Sequence, residues 1–237
     1  MKIVLDTHSH TLVSGHAYST IREMAQMAKE KHLEAFALTE HAPEMPGTCH
    51  EFYFQNLRVM PRELYGVRIF FGTELNILDE TGRVDLPERT LSQMDLVIAS
   101  VHGPCYRGAH TKEAITSAYL RAMENPQIHI IGHPDDGRFP VDYEALVKKS
   151  KETNTLLEIN NSSLRPGGFR ENTWENDKIL LEYCRKYEVP VTLGSDAHVD
   201  VDLGEFPLAL KLLEECDFPE ELVINTSVAK LEKRLVI

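Results

Sequence analysis

The chain has 237 residues, a formal net charge of −12, an apolar share of 42% and a charged share of 26%. This composition is that of an ordinary globular protein, and the acidity argues against broad electrostatic binding to nucleic acid or to anionic membranes. No stretch reaches the roughly 20 apolar residues that span a bilayer, and the four cysteines form no Cys-x-x-Cys pair. We therefore expect one domain over residues 1–237, free thiols, no membrane partner and a cytoplasmic location.

Short apolar runs recur along the chain and begin 28 to 34 residues apart. That interval is typical of a strand followed by a returning helix, and so of a parallel sheet. The runs occupy residues 2–7, 35–39, 68–72, 96–100, 128–132, 156–160 and 190–194.

Helical patterns fall between these runs. Ile21, Met24, Ala25 and Ala28 share one helical face, behind a capping box that pairs Thr20 with Glu23. Asp142 predicts the start of a second helix, and Asn172 or Thr173 predicts the start of a third. The segments 117–123 and 208–213 are also predicted to be helical.

Seven βα units could form an open doubly wound sheet or a closed barrel, because right-handed crossovers hold for both. The regular interval, with no obvious topological switch, favours an α/β fold of the seven-stranded (β/α)7 barrel type. Active sites of such barrels lie at the carboxyl ends of the strands.

Imidazole and carboxylate side chains follow six of the seven predicted strands. A lone histidine is more often a packed or solvated residue, but the joint placement at one barrel mouth predicts a metal site. Such ligands suit zinc, manganese or iron, and the lack of cysteine ligands indicates a catalytic site. Nine ligands are too many for one ion and fit three. The candidates are His8, His10, His16, His41, Glu74, His102, His133, Asp196 and His198.

At these positions the sequence resembles the PHP (polymerase and histidinol phosphatase) family of metal-dependent phosphoesterases. The motifs are Asp6-Thr7-His8-Ser9-His10, Thr39-Glu40-His41, Glu74, His102, Gly132-His133-Pro134 and Gly194-Ser195-Asp196-Ala197-His198. The segments 16–20, 158–163 and 204–206 are similar to YcdX-type phosphatases. The chain departs from the family pattern at Glu40, where aspartate is more frequent, and in the loop 164–170.

The resemblance implies a distorted seven-stranded barrel with three divalent ions, usually zinc. Carried over by residue, one ion takes His8, His10, Glu74 and Asp196, and the second takes Glu74, His102 and His133. The third takes His16, His41 and His198.

The expected activity is hydrolysis of phosphate monoesters of small metabolites by a metal-bridging hydroxide, since adjacent cations acidify water and clamp phosphoryl oxygens. The expected catalytic residues are Glu74, Asp196 and His198. Asp196, His198 or a metal-bound water is expected to protonate the leaving group. Candidate substrate-binding residues are Arg107, Asn160, Arg165 and Arg170.

Three alternatives stay open at this point. A nuclease or phosphodiesterase would use the same metals but would need a basic approach surface, which the acidic chain does not predict. An amidohydrolase-type deaminase would cleave C–N bonds. A non-catalytic metal-binding module would keep the ligands for stability. Apolar residues in 45–54 are consistent with a homo-oligomer contact, a lid or a packed loop.

Overall fold

Parallel strands form the centre of the computed structural model, which describes residues 1–235. The strands are β1 Leu5–Asp6, β2 Ala35–His41, β3 Glu63–Leu64, β4 Val67–Asn76, β5 Leu96–Ser100, β6 Ile130–Ile131, β7 Leu156–Asn160 and β8 Val191–Gly194. They pair in the order β1-β2-β4-β5-β6-β7-β8, and short β3 pairs antiparallel with β4. All seven predicted strands are confirmed; the first and fifth are several residues shorter than their apolar runs, and the seventh begins one residue later.

The ring closes irregularly between β1 and β8. Beyond the strand ends, Ser9 and Ala197 form a single parallel bridge. Within the seam the Asn225 side chain donates to the carbonyls of Leu5 (3.0 Å) and Leu193 (2.8 Å) and accepts from the Leu193 amide (2.7 Å). One side chain therefore satisfies backbone groups that a regular ladder would pair. This closure makes the fold a distorted (β/α)7 barrel, as predicted.

The helices of the described residues are α1 Ile21–Glu30, α2 Glu51–Asn56, α3 Glu88–Leu91, α4 Lys112–Ala122, α5 Tyr143–Thr153, α6 Thr173–Tyr187, α7 Pro207–Glu215 and α8 Val228–Leu235. The predicted capping box is present, since Thr20 Oγ1 accepts from the Glu23 amide and Glu23 Oε2 accepts from the Thr20 amide. Asp142 caps α5 as predicted, by accepting from the Ala145 amide. The sequence patterns did not predict α2, α3 or α8. Within residues 1–235, no helix is both long enough and apolar enough to cross a bilayer.

Strand alternation divides the barrel interior from the helix layer. On β4, Ile69, Phe71 and Leu75 pack outward with the helices, while Phe70 and Glu74 face inward. The amino-terminal half of the interior is filled by an apolar cluster of Val4, Leu5, Ala35, Ala37, Phe70, Leu96, Ile98, Ile130, Leu156, Ile224 and Leu231. Inward positions at the carboxyl ends of the strands carry polar side chains instead, and the candidate site lies there.

Candidate metal centre

Glu74, at the carboxyl end of β4, lies at the centre of the site and is fully buried. Its Oε1 lies 2.8 Å from His133 Nε2 and 3.1 Å from His102 Nε2. Its Oε2 lies 2.7 Å from His41 Nδ1. Ser100 Oγ donates to Oε1 (2.7 Å) and so fixes the carboxylate plane. The two oxygens thus face different imidazoles, which is the arrangement of a carboxylate able to bridge two cations.

Residues that follow β1 and β8 meet on the Oε2 side of Glu74. His8 Nε2 and His10 Nε2 lie 3.1 Å apart, and they lie 3.4 and 3.5 Å from Glu74 Oε2. Asp196 Oδ1 lies 3.3 Å from His10 Nε2 and 3.7 Å from His8 Nε2. Four donor atoms therefore converge within reach of one ion.

A third group of imidazoles lies toward the cavity. His41 Nε2 and His16 Nε2 are 3.2 Å apart, and the His16 ring stacks on His198 with centroids 4.8 Å apart. Donor atoms of His10, His41 and His198 also lie within 4.8 Å of one another. The structure thus brings all nine predicted ligands to one mouth; their ligand role stays a prediction.

Hydrogen bonds at the far nitrogen of each ring set the tautomers. His8 Nδ1–H donates to Glu158 Oε1 (2.7 Å) and His102 Nδ1–H to Asn76 Oδ1 (2.7 Å). His10 Nδ1 lies 3.2 Å from Ser14 Oγ, whose own proton goes to Glu40. With Nδ1 held in this way, each of these rings can offer Nε2 to a metal ion once that nitrogen carries no proton, as metal-bound histidines do.

Glu158 on β7 is the main residue that the sequence reasoning missed, because its strand was expected to lack a ligand. It is fully buried, and Oε2 accepts from the His133 amide (2.9 Å) while Oε1 holds His8. A Cβ on Gly194 of the neighbouring strand would collide with Oε1. A signal was present: Glu158 is a carboxylate at an inward position of a strand whose other face is apolar.

Glu40, which is one methylene longer than the aspartate frequent in the family, directs its carboxylate away from Glu74 and the imidazoles. It accepts from the Thr11 amide (3.1 Å), the Thr11 hydroxyl and the Ser14 hydroxyl (2.5 Å). Through Ser14 it steadies His10. Glu40 therefore orders the loop between β1 and α1 rather than facing the ring of imidazoles.

Two residues of the site have left-handed backbone conformations. The φ angles of His133 and Asp196 are 29° and 53°. Such conformations cost energy in non-glycine residues and persist where the surroundings enforce them. They aim both side chains across the barrel mouth.

Burial and neighbouring imidazoles act together on the histidine rings. Burial is the largest cause that lowers the pKa of His10 well below its usual value, followed by the charges of His41 and His198. The same causes lower the pKa of His16 to about 4. Both rings are therefore neutral at pH 7, the form that binds a metal ion.

The carboxylates respond in the opposite way. Burial raises the pKa of Glu74, but the facing His102 and His8 rings outweigh it and bring the pKa well below its usual range. Burial also raises the pKa of Asp196, but His8, His10 and Arg170 have the larger effect. The pKa of Asp196 is therefore well below its usual value. Both groups are ionised at neutral pH and carry the charge that balances a bound cation.

The donor set fits divalent metal ions. Glu74 Oε2 and His102 Nε2 are buried and have no well-formed hydrogen bond to the described residues. Buried polar atoms are normally satisfied, so unpaired ones that converge on one point indicate a missing partner. Imidazole and carboxylate donors without cysteine suit zinc in a catalytic site.

A cavity of about 630 Å³ opens onto the candidate metal ligands. Arg170 lines it, with Nη2 3.2 Å from Asp196 Oδ2 and Nη1 2.7 Å from Ser163 Oγ. Arg165 also lines it and pairs with Asp202 (2.9 Å). Asn160 lies behind the lining and donates to Asp196 Oδ2 (3.3 Å).

Two arginines differ from the sequence-based expectation. Arg107 is absent from the cavity lining and pairs at the surface with Glu44 (2.6 Å). Arg138 lines the cavity and was not among the candidates. Because their positions depend on loop paths, no sequence spacing distinguished the two.

Comparisons with known proteins agree with this geometry. The family model described as the PHP domain matches residues 6–164. A probable phosphatase of Caldanaerobacter subterraneus subsp. tengcongensis is 45% identical over 99% of this chain and 92% of that protein. A probable phosphatase of Clostridium novyi is 45% identical over 98% and 93%.

A solved structure shares the fold at low sequence identity. It is histidinol phosphate phosphatase from Lactococcus lactis subsp. lactis in complex with zinc, L-histidinol and phosphate. The TM-score is 0.62 and the identity 20%, with 91% of this chain and 94% of that chain covered. The structural likeness shows the shared fold, while the family match and the relatives at 45% identity establish that the chain belongs to the PHP domain family.

Proposed function

We propose that this metal-dependent phosphatase hydrolyses phosphate monoesters of small metabolites at a trinuclear metal centre, with residues 1–237 acting as one domain. The observation that carries the proposal is Glu74, whose two buried oxygens face separate imidazoles at the base of an open cavity. The curated relatives named probable phosphatases support the same reaction class.

The donor positions favour three ligand groups. Glu74 would bridge one ion held with His8, His10 and Asp196 and a second held with His102 and His133. The third would take His16, His41 and His198. A neutral imidazole has one lone pair, so His41 can serve one ion only. Its Nε2 faces His16 while its Nδ1 faces Glu74, which favours the third position.

Zinc is the proposed metal, with manganese or iron as alternatives that share these ligands. The nitrogen and oxygen donor set supports zinc, and the Lactococcus lactis enzyme was solved with zinc. When bound, divalent cations at these positions would lower the pKa of water and stabilise charge on the phosphoryl oxygens.

The chain's own residues would then orient the substrate and move protons. Arg170, between Asp196 and Ser163, places a guanidinium beside the ligands where it can also meet a phosphoryl oxygen. Asn160 holds Asp196 in place. Asp196 and His198 both line the cavity. Asp196 is ionised at neutral pH and so has no proton to give to the leaving oxygen. The other candidate, His198, would have to donate the proton of its second ring nitrogen, because its lone pair is assigned to the third ion.

The shape and charge of the protein favour a small substrate. A cavity of about 630 Å³ lies within the range that encloses metabolite-sized ligands. A net charge of −12 opposes a polyanionic nucleic-acid substrate. The cytoplasmic location and a homo-oligomeric state both stay predictions.

Phosphate release from a panel of esters tests this proposal. We expect turnover of histidinol phosphate or sugar phosphates, little hydrolysis of diesters and RNA, and loss of monoester turnover in His102→Ala. His32→Asn, at the end of α1 and away from the cavity, is the matched control and should retain activity. Undiminished turnover in His102→Ala, or faster diester than monoester cleavage, would contradict the proposal.

A further inference from the structure

The cavity has a second basic region, formed by residues that follow β6 and β7. Arg138 lies in the loop after β6, and Phe169 in the loop after β7; both line the cavity with Arg170. The Phe169 ring centroid lies 5.1 Å from the Arg138 guanidinium carbon and 5.2 Å from that of Arg170. One aromatic ring therefore spans the space between the arginine beside the metal ligands and the arginine at the rim.

Arg138 is held rigidly on one edge. Its Nε donates to both oxygens of Asp136 (3.0 Å each), and its Nη2 donates to Oδ2 (2.5 Å). Its guanidinium also lies 5.6 Å from the ring centroid of buried Phe139. Within residues 1–235, Nη1 donates to no side chain or carbonyl, and the side chain is 36% exposed. A guanidinium fixed on one edge is preorganised to bind an anion with its other edge.

The scissile phosphoryl group does not require Arg138. Arg170 already lies beside Asp196 and is almost fully buried, whereas Arg138 lies at the exposed rim. Phe169 lines the cavity and is 72% exposed, so its ring is accessible to a ligand that enters between the two arginines. The wall between the two arginines is therefore suited to the carbon skeleton of a substrate.

We propose that Arg138 is a specificity-determining residue that binds a second anionic group, a carboxylate or a second phosphate, on the alcohol part of the substrate. This inference rests on the proposed monoesterase function and narrows its substrate class. The acidic chain repels a substrate with extra negative charge, so a preference for one requires a local cation.

Matched pairs of esters provide the test. Each pair consists of the phosphate monoester of an ω-hydroxy acid and the phosphate monoester of the corresponding uncharged amide, and several chain lengths are compared. A second series carries an ω-phosphonate in place of the carboxylate, which distinguishes recognition of a carboxylate from recognition of a phosphate. At the best chain length we expect kcat/KM to be about tenfold higher for the anionic ester than for its amide. The difference should lie mainly in KM, because only the anionic ester accepts a charge-assisted hydrogen bond from Arg138. The series with the higher kcat/KM, carboxylate or phosphonate, identifies the anionic group that Arg138 binds.

Two variants assign that preference to the residue. Arg138→Gln should reduce the ratio to about one and leave kcat/KM for the amides within about twofold, because only the second anion loses its partner. Arg138→Lys, which keeps the charge, should retain part of the ratio. The control is Arg83→Gln: Arg83 makes a similar pair with Asp79 (3.0 Å) but lies outside the cavity.

The outcomes separate this inference from the function on which it rests. A ratio near one at every length in the wild type, or a ratio unchanged in Arg138→Gln, would overturn the role of Arg138 while monoester hydrolysis stands. Calorimetric binding of the corresponding non-hydrolysable phosphonates gives a second readout. A binding preference that Arg138→Gln removes would support the anion site even if no ester were hydrolysed, and that absence of turnover would contradict the proposed function alone.

Discussion

The two ends of β4 have different roles inside the barrel. Phe70 and Glu74 lie four residues apart on the same inward face, yet Phe70 packs in the apolar cluster and Glu74 is surrounded by imidazoles. The same strands therefore provide packing stability at their amino ends and the candidate metal centre at their carboxyl ends. This division is expected of barrel enzymes.

Two buried histidines repeat the comparison. His129 lies near the amino end of β6, where no carboxylate of residues 1–235 shifts its pKa, and burial lowers that pKa to about 4. Burial lowers the pKa of His8 as well, but Glu158, Glu74 and Asp196 outweigh it and raise the pKa well above its usual value. Neighbouring carboxylates thus distinguish His8 from His129, although both rings are buried.

The largest expected effect comes from the carboxyl end of β4. Glu74→Gln should lower kcat/KM at least about a thousandfold, because a neutral amide cannot balance the charge of two cations. Bound metal should also fall, as measured by plasma mass spectrometry on the purified variant. Far-UV circular dichroism should stay that of the wild type. Full metal content with full activity would show that Glu74 is not the bridge.

The amino end of the same strand should give the opposite result. Phe70→Ala should lower the free energy of unfolding by about 4 kcal/mol, because it leaves a cavity in the apolar cluster. Metal per folded chain and kcat should be retained. Urea unfolding measures the first and metal analysis the second. Lost metal with unchanged stability would refute the division between the two ends.

The stability that burial of a neutral His129 contributes should depend on pH. The unfolded chain takes up the proton near pH 6.5 and the folded chain only near pH 4, so this contribution to stability is lost as the pH falls through that window. Between pH 7 and 4.5 the wild type should lose about 2.5 kcal/mol more than His129→Asn. Asparagine can still accept from the Val97 amide, as His129 Nδ1 does. If the wild type and His129→Asn, both treated with chelator, lost equal free energies of unfolding over this pH range, the low pKa of His129 would be contradicted.

The smallest effect is expected at Glu158. Glu158→Gln keeps an acceptor for His8 Nδ1 but removes the negative charge, and partners of ligating histidines are typically worth about 10- to 100-fold in metal affinity or activity. Competition with a chelator measures the affinity. A variant with wild-type metal affinity and turnover would leave Glu158 with a packing role only.

The strands and most ligands could be predicted from sequence because each leaves a local pattern. Buried parallel strands are continuous apolar runs, and their carboxyl ends meet at one mouth. Thus His8 and Glu74 could be related across the sequence without coordinates. Helices α2 and α3 are too short for a clear periodicity, so they were not predicted.

The rest of the site depends on contacts that no spacing encodes. The inward position of Glu158 on β7 follows from the sequence, but its partner does not, because the hydrogen bond joins it to His8, 150 residues away. Arg138 depends on the approach of Phe169 from another loop, while Arg107, chosen for its place after β5, turns away to Glu44. Loop paths are set by tertiary packing, and loops carry much of the substrate recognition.

Metal content per chain tests the trinuclear centre most directly. Protein purified without chelator should contain about three divalent ions, and His16→Ala should contain about two with an unchanged circular dichroism spectrum, since each ligand group holds its own ion. One ion or none in well-folded wild-type protein, or three ions retained in His16→Ala, would contradict the account.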